Sequence, residues 1–332
     1  MHQISISPTS ARTARWWPDG AVYAADFVSN RFMRDQQEVL APTAFSLARA
    51  STKLARDAAG RWHSFASNQA AQTNKGVTVE AAETYYPANS ALAGASIGIV
   101  GSGGALPTGW TAPSWTQVTV VALGTHEGLD VITLDLTANN ISGGTALGRS
   151  VMFYNLPTTQ GEFWTMGLFG ELISVFGDDT CTPATNMLQI QERSAANVFL
   201  NNNNGIIANF NAVGLSTRQT KTKEMTAANA AQVQGFYSWN DIAAGTYFHR
   251  RVALKMPSMT KSQTVSSPMQ TTSSGTVTRA ADGMTLHLPA GTHSLTTHYA
   301  DGTSASIGGV SGDYSVPANS DKVITKISAQ PD

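Results

Sequence analysis

The chain offers few carboxylate pairs that could catalyse hydrolysis of a polysaccharide. That reaction needs two carboxyl groups about 5–9.5 Å apart, flanking the bond that breaks. The candidate pairs are Glu127 with Asp130, Glu162 with Glu171, and Asp178 with Asp179. No motif places any of these pairs, and Asp178-Asp179 follows Gly177 in a sequence typical of a solvated turn. We therefore expect no catalytic carboxylate pair.

Nucleophilic and phosphate-binding motifs are equally scarce in the sequence. There is no G-x-S-x-G motif, and the single cysteine, Cys181, has no motif context. The glycine-rich segment 101–104 lacks the Lys and Ser/Thr that follow in a phosphate-binding loop. We predict that the protein is not an enzyme and has no catalytic residue.

Metal chemistry has little support. His126-Glu127-Gly128 does not continue into an H-E-x-x-H zinc motif. The histidines of the C-terminal region are interpreted as surface residues of strands, with a metal site at the axis of three copies as the alternative; they are His287, His293 and His298. We predict no metal and no cofactor. A structural calcium ion near Glu127, Asp130 or Asp241 stays open as an alternative.

Aromatic side chains are the better candidates for ligand binding, because a sugar can stack its apolar face on a ring without any charge. The predicted glycan-binding residues are Tyr237, Trp239, Trp115 and Tyr154. Tyr237 and Trp239 are two residues apart, so a strand would present both rings on one face. Polar contacts could come from Gln189, Gln191, Asn201, Asn203, Asn240 and Asp241. The alternative is that these rings fill a β-sandwich core.

The composition favours a neutral ligand. The 332 residues include 21 Lys and Arg and 22 Asp and Glu, which gives a net charge of −1 and a charged fraction of 13%. Soluble domains usually contain about 25% charged residues. A nucleic-acid backbone or an anionic membrane surface normally requires a basic patch, so we expect neither partner. Residues that are 42% hydrophobic can still build a core.

No targeting or membrane segment is predicted. Residues 1–17 contain no apolar run and do not resemble a secretory signal. The uncharged segment 91–106 is about 16 residues long and rich in glycine, whereas a spanning helix needs about 20 apolar residues. We interpret it as a glycine-rich loop and expect no membrane insertion.

Alternating apolar and polar residues predict antiparallel, half-buried strands. Ile132, Leu134 and Leu136 alternate with polar residues, as do Leu188 and Ile190. A third run is expected to place Phe248, Val252, Leu254 and Met256 on one face. Turn sequences punctuate these runs, so we predict a mostly β protein centred on a jelly-roll type antiparallel sandwich.

The chain is expected to divide into four parts. Residues 1–90 form an N-terminal region, 91–259 the sandwich, 260–275 a Ser/Thr-rich linker, and 276–332 a small C-terminal β domain. At about 57 residues, the last part is marginal by itself and should lean on neighbours or on other copies. Within it, Asp301-Gly302 predicts a two-residue hairpin turn of type I′.

Several segments resemble phage and prophage tail-fibre-like virion proteins. The aromatic opening and the segments after it match in order: residues 23–32 (YAADFVSNRF), 45–52 (FSLARAST) and 76–80 (GVTVE). Residues 106–110 (LPTGW) resemble the start of a carbohydrate-binding-module-like sandwich, and residues 278–282 (TRAAD) the start of a small C-terminal β unit. The Arg and Asn of the relatives' RTN are missing here, where Glu83-Thr84-Tyr85 stands, so no role is carried over from them.

This resemblance implies a non-enzymatic virion fibre or spike subunit, in the first place a tail fibre, that recognises host-surface glycans during adsorption. It also implies a homotrimer on the phage particle, made in the host cytoplasm and attached through residues 1–90 to other tail or capsid proteins. Two alternatives stay open, a glycan-degrading tailspike and a purely structural capsid or tail decoration. The sequence shows no repeat with the period of a long β-helix, which disfavours the tailspike.

Overall fold

The protein is built almost entirely of β-strands. The computed structural model describes residues 15–86, 89–113, 116–139, 151–180, 185–202, 205–208, 214–240, 246–263, 266–270 and 275–332. Among these residues, the helical structure consists of one short turn. None of the described residues forms a helix long and apolar enough to span a membrane. The prediction of a mostly β fold is confirmed.

The first strands and the helical turn precede the sandwich: β1 (Tyr23–Asp26), β2 (Arg31–Arg34), β3 (Gln37–Val39), α1 (Ala41–Ala44), β4 (Phe45–Ala48), β5 (Lys53–Arg56), β6 (Trp62–Phe65), β7 (Gln72–Thr73) and β8 (Gly76–Val77). The sandwich region follows: β9 (Glu83–Tyr85), β10 (Gly98–Val100), β11 (Gly103–Gly104), β12 (Gln117–His126), β13 (Leu129–Asn139), β14 (Val151–Pro157), β15 (Phe163–Val175), β16 (Thr185–Arg193), β17 (Phe199–Asn201), β18 (Ile206–Ala208), β19 (Gln219–Glu224), β20 (Gln232–Asn240), β21 (Tyr247–Thr260) and β22 (Val277–Arg279). The chain ends with β23 (Gly283–Tyr299), β24 (Ser304–Ser315) and β25 (Ile324–Pro331).

Two sheets pack face to face and form the sandwich domain. The first has the strand order β11-β10-β12-β13-β21-β15-β19, and the second has the order β14-β20-β16-β17 with β18 beside β16. Their inner faces share one apolar core. Ile132, Leu134, Leu136, Leu188 and Ile190 all lie in that core with no exposed surface. The predicted antiparallel sandwich and its alternation are therefore confirmed at these strands.

The alternation predicted for β21 fails at one residue. Phe248, Val252 and Leu254 lie in the sandwich core, whereas Met256 packs in a separate cluster with Leu54. The backbone of Met256 has a φ of +49°. The pairing between β15 and β21 shifts register next to it. This bulge turns Met256 to the opposite face of the sheet, because an extra residue reverses the period-two alternation.

The two ends of the chain build a second domain together. β1 pairs with β25, β4 with β23, and β8 with β25, within the sheet order β24-β23-β25-β1-β2-β3. One core contains apolar residues from both segments. The division into separate parts 1–90 and 276–332 is therefore corrected: they form one discontinuous unit, which we call the terminal domain, and the sandwich domain is inserted into it. The expectation that the C-terminal strands lean on neighbours is met within the chain.

Glycine has a defined place in this pairing. Gly76 has a φ of +123°, and a Cβ added to it would lie 2.2 Å from the carbonyl oxygen of Ile324. The close approach of β8 to β25 therefore requires glycine, which accounts for the first residue of the GVTVE segment.

The predicted hairpin turn exists in a different form. Tyr299 donates its backbone N–H to the carbonyl of Thr303, and Gly302 donates to the carbonyl of Tyr299. Of Asp301 and Gly302, Gly302 alone has a positive φ, +82°. A type I′ turn would need both residues in that region, so this is the three-residue loop with glycine at its last position. Asp301 instead accepts hydrogen bonds from the Thr303 backbone and hydroxyl.

The chain crosses between the two domains twice, at one place. β9 leads into the sandwich domain, β22 leads out of it, and the two strands pair with each other. Beside this crossing lies a group of five charged side chains, all essentially without exposed surface, which we call the buried ion cluster: Arg49, Lys53, Glu80, Arg279 and Asp282. These residues come from, or next to, the segments that carry the virion-protein resemblance. Those motifs therefore have a structural role here.

The distances in the buried ion cluster are those of direct ion pairs. Asp282 forms ion pairs with two cations: its Oδ1 lies 2.8 Å from Arg49 Nη1, and its Oδ2 lies 2.5 Å from Lys53 Nζ. Lys53 Nζ is also 2.9 Å from Glu80 Oε2, and Arg279 Nη1 is 3.5 Å from the same oxygen. Glu80 Oε1 accepts hydrogen bonds from the backbone and hydroxyl of Ser267. Segments far apart in sequence are thus tied at one point, including part of the predicted linker.

We predict that Asp282→Asn lowers the free energy of unfolding by about 3–5 kcal/mol, because it leaves buried cations without their partner. Urea unfolding followed by tryptophan fluorescence measures the change. Asp321→Asn, on an exposed residue, is the control and should stay within about 0.5 kcal/mol of the wild type. Equal stability of the two variants would contradict the role of the cluster.

The same cluster predicts a pH dependence. Burial raises the pKa of Asp282, but the charge of Lys53 and the hydrogen bonds from Lys53 and Arg49 outweigh it and leave the pKa below its ordinary value. The stabilisation is therefore present above the unfolded-state pKa of about 4 and is lost as the pH falls through the folded-state pKa. Thermal unfolding between pH 7 and pH 2 should show this loss in the wild type and much less of it in Asp282→Asn.

Candidate functional site

Two of the four predicted glycan-binding residues lie in the core of the sandwich domain. Tyr237 on β20 has no exposed surface, and Tyr154 on β14 has 3%. A ring that is enclosed on both faces cannot stack on a sugar, so the predicted surface role of both tyrosines is corrected. The alternative that the sequence left open, a core position, is the one observed for them.

The other two predicted residues are not fully described. Trp115 lies outside the described residues. Trp239 lies on β20 with its backbone opposite Asn186, and its side chain is likewise outside the described part of the chain. Asp241 and Asn203 also fall outside it. The structure therefore leaves the predicted binding role of Trp239 as a prediction.

The predicted polar partners do not share a surface with Tyr237. On β16, Leu188 and Ile190 face the core, so Gln189 and Gln191 lie on the opposite face of the same strand. Asn201 is held by Lys223, whose Nζ lies 2.9 Å from its Oδ1. The amides and the tyrosine therefore cannot hold one ligand between them.

Most of the candidate carboxylates are engaged by cations or other donors. Asp179 has a buried side chain 2.9 Å from Arg250 Nε, which corrects its interpretation as part of a solvated turn. Glu127 lies between Arg56 and Lys255. Burial raises the pKa of Glu127, but hydrogen bonds from Ser216 and Lys255 and the charge of Lys255 bring it below its usual value. Among the described residues, no group of three or more His, Cys, Asp and Glu could hold a metal ion.

Glu162 is also unsuited to act as a general acid. Burial raises its pKa, but hydrogen bonds from Lys261, Thr159 and Thr158 dominate and lower the pKa to about 2. A general acid of a glycosidase needs a raised pKa, so that it carries a proton at neutral pH. The environment of Glu162 works in the opposite direction.

A groove on the terminal domain has the chemistry that the sequence predicted for the sandwich. It measures about 780 Å³ and lies between the β1–β2 turn, the α1–β4 segment and the loop from Phe65 to Asn74. No charged side chain belongs to its lining, which is made up of described residues throughout. Five side-chain amides contribute, and we call it the amide groove: Asn30, Asn68, Gln69, Gln72 and Asn74. Phe65, Leu47 and Val28 supply accessible apolar surface.

The turn at one end of the amide groove is fixed by local sequence. Asp26 Oδ1 accepts hydrogen bonds from the backbone N–H groups of Val28 and Ser29, at 3.1 and 3.0 Å. Asn30 follows with a φ of +55°, a conformation that asparagine adopts more readily than most residues. The D-F…N-R segment is therefore a turn motif. It places the Asn30 amide, whose Oδ1 accepts a hydrogen bond from Gln72 at 3.1 Å.

The loop at the other end of the groove is held by Arg49 of the buried ion cluster. Its Nη2 donates to the carbonyl oxygens of Ala66 and Gln69, at 2.8 and 2.9 Å. The backbone N–H of Arg49 donates to Asn68 Oδ1 at 3.0 Å, and the Asn68 N–H donates to the Arg49 carbonyl. The backbone and the side chain of Arg49 therefore both hydrogen-bond to this loop and tie it to the interior of the terminal domain.

Three groove amides use only their oxygen in these contacts. Asn68 Oδ1 accepts from Arg49, Gln69 Oε1 from the N–H of Ala66, and Asn74 Oδ1 from the N–H of Ala58. The side-chain nitrogens of these three amides donate no hydrogen bond to any described residue. Each amide is therefore held in a fixed orientation with its donor end available. Sequence reasoning missed this site, although the signal was present as four amides within the seven residues 68–74.

Comparison with known proteins gives likenesses of fold. No family model and no curated protein matches the chain. Among solved structures it is similar to the CBM22-1 xylan-binding domain of Paenibacillus barcinonensis Xyn10C, at 11% identity and a TM-score of 0.33, over 56% of this chain and 100% of that domain. A structure of promiscuous carbohydrate-binding modules from the β-sandwich superfamily matches at 11% identity and a TM-score of 0.30, over 73% of this chain and 86% of that chain.

A third similar structure is the arabinose-bound MgGH51 α-L-arabinofuranosidase, at 12% identity and a TM-score of 0.33. The match covers 54% of this chain and 26% of the enzyme. None of the three bears on the ligand of this chain. What the strand pairing itself defines is an all-β protein in which a sandwich domain is inserted into a second β domain.

We predict that Tyr237→Ala lowers the free energy of unfolding by about 3–5 kcal/mol, the usual cost of removing a large ring from a packed core. Tyr237→Phe keeps the ring and is the matched control, with a much smaller loss. Chemical denaturation of both variants makes the comparison. If Tyr237→Ala instead unfolds like the wild type, the ring is not part of the core.

Proposed function

We propose that the protein is a non-enzymatic, glycan-binding subunit of a phage fibre or spike, and that it binds neutral sugars in the amide groove. The observation that carries this proposal is the groove lining: oriented amide donors beside a half-buried aromatic ring, without any charged side chain. Neutral sugars present hydroxyl acceptors and apolar C–H faces. The groove offers a counterpart for each of them.

The volume of the amide groove agrees with a ligand of more than one sugar unit. At about 780 Å³ it falls within the range of about 300–1,000 Å³ that small-molecule sites occupy. Phe65 is half-buried at its wall and belongs to none of the apolar core clusters, so its ring is available for stacking. Asn68, Gln69 and Asn74 supply donors along the same wall.

The role in a virion is supported by the segments that resemble tail-fibre-like proteins. We place the protein on the surface of a phage particle, made in the host cytoplasm and joined to other tail or capsid proteins through its N-terminal region. The non-enzymatic assignment is favoured by the lowered pKa values of Glu127 and Glu162, which do not suit a general acid. A soluble release assay on host polysaccharide separates this proposal from the tailspike alternative.

We predict that Phe65→Ala weakens binding of a neutral oligosaccharide about fivefold, because aromatic contacts contribute on the order of 1 kcal/mol and 1.4 kcal/mol is a factor of ten. The oligosaccharide is chosen as the strongest neutral signal on a glycan array and titrated calorimetrically. The melting temperature should change little.

Phe199→Ala provides the matched control for this variant, because Phe199 is a 40% exposed phenylalanine on β17 of the sandwich domain, away from the groove. It should bind like the wild type. Binding that survives Phe65→Ala but fails in Phe199→Ala would move the site to the sandwich. Absence of any array signal would favour the decoration alternative.

We further propose a homotrimer that uses the edge strand β24. This strand ends the sheet order of the terminal domain, and its outer edge has no partner strand among the described residues. Residues 304–309 on it are exposed and uncharged, and Ile307 is 47% exposed. Natural proteins usually protect such edges with charges or cover them with other segments. In a trimer, each copy would offer this edge to a different surface of the next copy, because pairing of β24 with β24 would close as a two-fold dimer.

We expect light scattering to give three times the chain mass of 35.0 kDa for the wild type. Ile307→Lys should shift this to a monomer, because a charge on the edge opposes strand pairing. Ile97→Lys, at a 61% exposed position of the sandwich region, should remain trimeric. A wild type that is monomeric at micromolar concentration contradicts the trimer, and a trimeric Ile307→Lys contradicts the role of β24.

A further inference from the structure

A second cavity lies between the terminal domain and the segments that lead out of the sandwich domain. It measures about 260 Å³, and we call it the junction cavity. Its terminal-domain wall includes Arg56, Trp62, Lys75 and Thr78, and its other wall includes Arg218 with residues 266–268. The volume suits one sugar ring or another small hydroxylated molecule, and it is smaller than the usual site for a drug-sized ligand.

The charge in the lining of the junction cavity is mainly positive. Arg56, Lys75 and Arg218 are cations, and Glu80 is the acidic residue of the lining. Glu80 is already engaged by Lys53 at 2.9 Å and by Arg279 at 3.5 Å, both outside the cavity lining. Arg56 is likewise paired, with Glu127 at 2.9 Å. Arg218 and Lys75 are the cations of the lining whose charge no described carboxylate neutralises within 4.0 Å.

Arg218 is the unusual member of this group. Its Nη1 donates to the Ser266 carbonyl at 2.8 Å and its Nη2 donates to the Ser258 hydroxyl, so both described partners are uncharged. The guanidinium lies against Gly167, where an added Cβ would be 2.5 Å from Nε. Desolvation lowers the pKa of Arg218. The charge of Glu80 acts in the opposite direction but is outweighed by the desolvation. A buried guanidinium without a direct ion pair is costly, and an anion in the adjacent cavity would offset that cost.

Three residues of the lining each also carry a buried polar atom that has no hydrogen-bond partner among the described residues. These atoms are Arg218 Nε, Trp62 Nε1 and Thr78 Oγ1. The first two can only donate, and the hydroxyl can donate as well. Buried polar groups are nearly always paired in folded proteins, so such a set calls for an acceptor supplied from outside. A carboxylate is the acceptor that matches a guanidinium fork in charge and shape.

We propose that the junction cavity binds the carboxylate of a small hydroxylated ligand of the uronic acid type, with Arg218 as the main contact. Trp62 Nε1 and Thr78 Oγ1 donate hydrogen bonds to the ligand, and Lys75 at the mouth attracts it. This site differs from the amide groove in charge, and it does not depend on the function proposed for that groove.

The test is calorimetric titration of the full chain with sodium glucuronate, with glucose as the uncharged analogue and sodium sulfate as the inorganic anion. We expect glucuronate to bind, glucose to show no binding at this site, and Arg218→Gln to weaken glucuronate binding at least tenfold. Binding of sulfate without binding of glucuronate would overturn the ligand class. Equal binding of glucose and glucuronate would overturn the role of the charge.

A second variant covers the case in which Arg218→Gln does not fold. Lys75 is exposed and its side chain makes no described hydrogen bond or ion pair, so Lys75→Gln should keep the melting temperature while weakening glucuronate binding several-fold. Lys221→Gln removes a cation on β19 that does not line the cavity and should bind like the wild type. Unchanged binding in Lys75→Gln, or an equal loss in Lys221→Gln, contradicts the site.

The two binding sites are separable in the same set of variants. Phe65→Ala should leave glucuronate binding unchanged, and Lys75→Gln should leave binding of the neutral oligosaccharide unchanged. A failure of the amide groove therefore does not count against the junction cavity, and the reverse also holds. Loss of both activities in Lys75→Gln would contradict the separate assignment of the cavity.

Discussion

The buried ion cluster is the interaction on which the arrangement of both domains depends. Arg49, Lys53, Glu80, Arg279 and Asp282 have essentially no exposed surface, and such charges are tolerated only where each is paired. The cluster lies where the chain passes into the sandwich domain and out again. Its members come from three segments of the sequence, so its formation requires both ends of the chain to be in place. An inserted domain needs such a junction, because its two crossings must be held side by side.

The cluster also reaches both candidate sites. Arg49 uses its remaining donors to hold the carbonyls of Ala66 and Gln69, which fixes the loop of the amide groove. Glu80 uses its second oxygen to hold Ser267 at the wall of the junction cavity. Positioning that depends on a dry ionic network is more rigid than positioning by surface hydrogen bonds, since low dielectric strengthens each bond. The sites therefore inherit their geometry from the interior of the terminal domain.

Sequence reasoning succeeded where a feature is local. The alternation at Ile132–Leu134–Leu136 and at Leu188–Ile190 identified strands and their inner faces correctly. The spacing of Tyr237 and Trp239 predicts a shared strand face, but spacing alone does not say which face is the core, and Tyr237 proved to be inside. Met256 departs from the alternation because a bulge changes the backbone conformation at a single residue, which the apolar pattern of the sequence does not reveal. The pairing of β1 with β25 joins segments about 300 residues apart, and no local period reports such a contact.

The low overall charge takes on a different meaning once the charges are located. Some of the few ionic groups lie in the interior, where they join segments from the two ends of the chain. The amide groove has no charged side chain in its lining. A surface ion pair contributes little to stability, whereas a buried one fixes a particular arrangement once it is complete. Because no charged side chain lines the amide groove, the ligand proposed for it depends on the amides and on the one accessible phenylalanine of the lining. Exchanges among these residues would alter hydrogen-bond direction and stacking without changing the charge of the groove.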